Sequence, residues 1–107
     1  MVIGITLFKN TTAYFSPTFG RGGLAAVFSC EALLGTAFTL DIDVEHKHAE
    51  DTTFTTLGSF TQIAAEGVGT KNLTGIKEQV RFKYTVGGAT ASSFVHFNML
   101  APAWRPY

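Results

Sequence analysis

The chain has 107 residues, 8 Lys+Arg against 8 Asp+Glu, and therefore no formal net charge; only 15% of its residues are charged. That argues against a general nucleic-acid binder, whose phosphate affinity comes from clustered Lys and Arg. Leu, Ile, Val and Phe exceed a quarter of the residues, too many for a disordered chain, and a single cysteine excludes an internal disulfide.

Val, Ile and Thr together make up a quarter of the chain, and β-branched side chains sit best on a pleated, half-buried surface. In chain order, residues 2–7 read as a short strand. Residues 9–23 (KNTTAYFSPTFGRGG) place Tyr14, Phe15 and Phe19 in a Gly/Thr/Pro-rich stretch without period, which reads as an extended arm. Residues 25–34 (AAVFSCEALL) carry apolar side chains on both parities, the pattern of a strand buried on both faces, with a short helix as the alternative. From Phe38 to His46 the alternation is strict. Phe38, Leu40, Ile42 and Val44 form an apolar row, and Thr39, Asp41, Asp43 and Glu45 form a polar, acidic one. Residues 53–63 and 67–73 read as weaker strands, with turns at 47–52, 64–67 and 74–78.

Residues 80–86 repeat the design with the opposite charge: Val80, Phe82, Tyr84 and Val86 alternate with Arg81, Lys83 and Thr85. Opposite charges across neighbouring strands stabilise a sheet by about 0.2–1 kcal/mol per pair, so these two segments are expected side by side. Phe94–Leu100 forms the last strand, and Gly87-Gly88 with the five residues after it read as the hairpin loop leading into it. Seven or so short strands and no βαβ alternation predict a single all-β domain over 1–107. The expected architecture is an antiparallel β-sandwich, jelly-roll or immunoglobulin-like, with extended N- and C-terminal arms.

The arms carry the first functional argument. Residues 101–107 (APAWRPY) set Trp104 and Tyr107 between prolines, an extended tail. An aromatic side chain buries 150–250 Å² when covered, so five of them on two arms must pack on something. They fold back on their own sandwich, or at least one arm docks on a neighbouring subunit. Charged residues fall well below the usual ~25% of a soluble domain, and near-zero net charge favours association. The expected interface residues are Tyr14, Phe15, Phe19, Arg21, Trp104, Arg105 and Tyr107, in a homo-oligomer.

Chemistry is thin. His46 and His48 share one face of an extended segment, but a structural zinc needs four ligands, and polar residues at a strand end are the expectation. The row Asp41, Asp43, Glu45 suits a solvated or salt-paired face better than calcium, which takes 6–8 oxygens from a curved loop. Cys30 has no base at a telling spacing and reads as a core residue. Gly20-Arg21-Gly22-Gly23 lacks the Lys-Ser/Thr of a phosphate-binding loop. No catalytic residue, cofactor or metal site is assigned. The longest apolar run, Leu24–Phe28, is far short of the roughly 18 residues that span a bilayer, so no membrane partner is expected.

In LDIDVEHKH (40–48), VRFKYTV (80–86) and VHFNMLAPAWRPY (95–107), the chain resembles small structural proteins of tailed bacteriophages, the head decoration or cement class in particular. That resemblance implies a non-enzymatic homo-oligomer, a trimer by preference, bound to the major capsid protein on the capsid exterior of the virion. The rival expectation is a carbohydrate- or receptor-binding β-sandwich of a fibre, with Trp104 on an open face; a tail or connector component is the third.

Overall fold

The computed structural model describes residues 2–106. Among them lie ten strands and no helix: β1 (Val2–Phe8), β2 (Tyr14–Phe15), β3 (Phe19–Gly20), β4 (Ala25–Thr36), β5 (Phe38–Lys47), β6 (Thr55–Ser59), β7 (Gly67–Thr74), β8 (Gln79–Gly88), β9 (Phe94–Leu100) and β10 (Ala103–Arg105). All strand pairs are antiparallel and form two sheets.

β2 and β3 lie end to end along one edge of β8, because β5 occupies the other edge. β9 and β10 likewise share one edge of β4, opposite β7. With each such pair taken as one interrupted strand, sheet A runs β1, β9/β10, β4, β7 and sheet B runs β2/β3, β8, β5, β6. Successive strands therefore alternate between sheets, and only the β5–β6 connection joins neighbours within one. This is the order of a jelly roll, in which two Greek keys wind a chain around one core. The sandwich expectation holds, and the topology selects its jelly-roll form.

The two parity rows meet as the alternation requires. Asp43 stands opposite Lys83 and Glu45 opposite Arg81, on the solvent side of sheet B. Leu40, Ile42 and Val44 of β5 and Val80, Phe82, Tyr84 and Val86 of β8 point inward. From sheet A they meet Phe28, Cys30 and Ala32 of β4 and Val95, Phe97 and Met99 of β9. Aromatic edges interlock between the sheets, with centroid distances of 5.8 Å for Phe28–Phe82 and 5.3 Å for Tyr84–Phe97. Each of the large apolar side chains stabilises the fold by about 1.5–3 kcal/mol relative to exposure.

Three expectations are corrected. β4 is a strand but is not buried on both faces: Ala26, Phe28, Cys30 and Ala32 are buried, while Val27, Ser29 and Glu31 are half-covered. Among the described residues no third layer lies on sheet A, so its outward row keeps contact with solvent. The segment expected over 53–63 shrinks to β6, with Ile63 alone bridging back to Leu40. The loop before Phe94 is not a hairpin. Gly87 and Gly88 end β8 opposite Thr39 and Phe38, and the chain then crosses to sheet A. Ser93 fixes that crossing: its buried hydroxyl donates to the Ala37 carbonyl at 3.0 Å and accepts the Thr90 N–H at 3.2 Å. Ala37, at φ 45°, is the corner where β4 turns into β5, so one hydroxyl ties two inter-sheet crossings together.

Candidate functional site

Both arms lie on their own sandwich. Tyr14 points into it and donates its hydroxyl to the Phe8 carbonyl at 3.2 Å. Phe19 packs on Phe82, with centroids 5.4 Å apart, and meets Trp104. Trp104 also meets the edge of Phe28, so the indole closes one end of the gap between the sheets. The close pass of the N-terminal arm over this ring explains Gly22: a Cβ there would sit 2.6 Å from the indole. Arg21 anchors the same arm through its guanidinium to the Ile76 carbonyl and its N–H to the Glu78 carbonyl at 3.0 Å. Arg105 is exposed at the end of β10, opposite Ala25. Tyr107 lies outside the described residues. Trp104, which the sugar-binding alternative requires on an open face, is half-buried instead.

The polar rows of sheet B are occupied by their neighbours. Asp41 accepts the Gln62 amide at 3.1 Å, Asp43 the Ser59 hydroxyl at 2.6 Å, and Glu45 the Arg81 Nε–H at 2.8 Å. The Arg81 guanidinium sits over the rings of both Phe15 and Phe54, 4.2 Å from each centroid. His46 is nearly buried and accepts the Lys77 N–H on Nδ1 at 3.1 Å, while His48 Nδ1 meets Glu78 at 3.0 Å. Burial first, then the Lys77 charge and His48, hold the His46 pKa below its ordinary value, so the ring stays neutral. Burial pushes the Cys30 thiol up against a weaker opposing hydrogen bond from Gly69, which makes it a poor nucleophile. Among the described residues, no group of three or more His, Cys, Asp or Glu is placed to hold a metal ion.

Sheet A presents a different surface. Its strands contribute only Glu31, Lys71 and Arg105 as charged residues, whereas β5 and β8 of sheet B carry Asp41, Asp43, Glu45, Lys47, Arg81 and Lys83. Phe8, Leu33, Leu34 and Val68 are exposed on sheet A. Phe8 leans on Phe94 at 5.9 Å, and Leu34 lies opposite His96 in the β4–β9 ladder. The bulge between Ala32 and Leu34 leaves Leu33 and Leu34 exposed in succession.

Beside the break between β2 and β3 the gap between the sheets stays open. Two apolar hollows of about 210 and 250 Å³ flank Ser16-Pro17, the break between β2 and β3. Phe19, Phe82 and Met99 line one; Ile5, Leu7 and Tyr84 line the other. This neutral sheet with its open edge escaped the sequence reading. The signal was present in VIGITLF, which has neither charge nor proline, but the bulge that exposes Leu33 and Leu34 depends on register.

Compared with known proteins, the chain matches no protein-family model, no curated protein and no solved structure.

Proposed function

We propose that this chain is a non-enzymatic structural subunit of a virion, which decorates and stabilises a bacteriophage capsid from outside by binding between capsid subunits. The observation that carries the reading is the asymmetry of the sandwich: charge is gathered on sheet B, and sheet A presents neutral strands with Phe8, Leu33, Leu34 and Val68 exposed. A weakly charged surface that carries exposed apolar side chains is one a protein partner can cover. The carboxylates of β5 are engaged by neighbouring side chains, which accords with a structural role for that face. Jelly rolls serve viral capsids and lectins alike, so the fold accords with this reading without choosing it. The partners in this reading are further copies of the chain and the major capsid protein.

The test is co-sedimentation of the purified protein with phage heads stripped of their decoration, followed by imaging of the particles. The expected result is saturable binding at a fixed number of copies per capsomer on the outer surface, lost when Leu34→Glu is used. Absence of binding, or density confined to tail or connector, overturns it.

A further inference from the structure

A sheet edge with unpaired N–H and C=O groups is a template for another strand, and folded proteins blunt such edges with charge, proline, bulges or shortness. Three of the four edges here are blunted. The β2/β3 edge is interrupted at Ser16-Pro17. β6 is five residues long, with a register break against β5. β7 carries Lys71 and begins at Gly67, whose φ of 145° suits glycine alone. Among the described residues β1 carries no charge, proline or bulge, and only its Phe8 end is capped, by the Tyr14 hydroxyl on the Phe8 carbonyl. Its seven residues, VIGITLF, run in unbroken register with β9 from Val2 opposite Leu100 to Phe8 opposite Phe94.

Parity fixes which of its groups are free. The Lys9 N–H donates to the Ser93 carbonyl at 2.8 Å, so odd-numbered residues of this ladder turn their backbone groups toward β9. Even-numbered residues, Gly4 and Thr6 among them, turn theirs away. The Phe8 carbonyl agrees, since it faces the Tyr14 hydroxyl on the other side.

We propose that β1 of one copy pairs antiparallel with β1 of a second copy about a two-fold axis at Ile5, which joins two copies of sheet A into one continuous sheet. In that register Gly4 faces Thr6 of the second copy, with reciprocal N–H to C=O bonds, and the pairing ends short of Phe8, whose carbonyl the Tyr14 hydroxyl holds. A two-fold contact sets the same strand against itself, so it suits a row without charges, where no like pair is brought together. The 59%-exposed Phe8 and the apolar hollow lined by Ile5 and Leu7 lie beside this contact. An edge contact of this kind falls at the small end of specific interfaces, so the pair forms in a concentration-dependent way. The inference rests on the reading of the chain as an assembly subunit and names its first partner. It makes a two-fold unit where the phage resemblance implies a three-fold one.

The test is amide hydrogen exchange on the full chain, read by NMR at low and high concentration beside sedimentation velocity. The Ile5 and Leu7 amides, bonded to β9, exchange slowly throughout. The Gly4 and Thr6 amides exchange rapidly when dilute and slow by roughly tenfold or more when concentrated, as the mass rises from 11.5 kDa toward twice that value. Thr6→Lys sets a charge on the exposed edge and keeps the monomer mass, with the Gly4 amide fast at every concentration. Thr6→Val, which also loses the 2.7 Å contact with His96 but stays uncharged, pairs as the native chain does. A native mass of 11.5 kDa up to about 1 mM overturns the proposal. So does an oligomer whose Gly4 and Thr6 amides remain fast. Capsid binding without the edge pair removes this proposal alone, and an edge pair that ignores capsids removes the decoration reading alone.

Discussion

The rings of Phe19 and Trp104 meet edge-on with centroids 6.4 Å apart, and they belong to strands of opposite sheets, β3 and β10. The two arms thus clasp each other over the core, with Phe28 beneath the indole at 6.1 Å. Truncating the ring removes contact on both sheets at once. Trp104→Ala is expected to cost about 2–3 kcal/mol, at the low end for large aromatics because the indole is only half-buried. Urea denaturation followed by far-UV circular dichroism measures it. Deleting residues 101–106 costs more, since β10 goes with the indole; a tail serving only as an external anchor would leave the midpoint unmoved.

Arg81 performs three tasks with one planar group: it bonds Glu45, and it stacks on Phe15 and on Phe54. Lysine keeps the charge but not the plane. Arg81→Lys is expected to destabilise by about 1 kcal/mol. Arg81→Ala leaves the nearly buried Glu45 carboxylate without its cation and is expected to cost about 3 kcal/mol at neutral pH. Adding Glu45→Gln to Arg81→Ala should restore part of that loss, and a double-mutant cycle by thermal or urea unfolding reads the coupling.

Acid acts on this fold through two groups. The unfolded chain protonates His46 near its ordinary value of 6.5, while the folded chain resists because the ring is buried, faces the Lys77 charge and accepts the Lys77 N–H. The unfolded state therefore binds more protons below 6.5, and stability falls as pH drops through that value toward the lowered one. Glu78, held low by its hydrogen bonds from His48 and the Ala49 N–H, adds a second loss beginning below about 4.5. Tm measured by scanning calorimetry should be level near pH 7 and decline in these two stages. His46→Asn, whose side-chain oxygen can still accept the Lys77 N–H, should flatten the first stage and leave the second.

Cys30 is fully buried and its thiol is pushed up in pKa by that burial. Thiol reagents should modify it only at the rate of unfolding, with the native protein protected and the urea-denatured chain labelled at once. Prompt labelling of the native protein would require an opening at the β4–β7 side of the core.

The strands that were plain in the sequence are those with one face in the core and one in water. Phe38–His46 and Val80–Val86 fall in this class, and their charge rows also fixed which strand lies beside which. Reading failed where the deciding contact is remote. Nothing local to Gly87-Gly88 says that the chain crosses to the other sheet, because the crossing is held by Ser93 on Ala37. β2 and β3 are two residues each and exist only as pairs to β8, so the arm containing them showed no period. Of the expected interface residues, Tyr14, Phe19 and Trp104 were recognisable as aromatic rings in need of cover. That the cover is their own sandwich depends on where the arms return.

The position of β1 also sets the timetable of synthesis. Its ladder partner is β9, and Val2 waits for Leu100, so β1 is made well before the strand that zips it in. Pairings this distant along the chain place jelly rolls among slow folders, in the range of milliseconds to seconds. Throughout elongation VIGITLF stays a bare, sticky ribbon with both rims unsatisfied, and nascent chains crowded on one message are at risk of meeting there before their own ninth strand has left the ribosome.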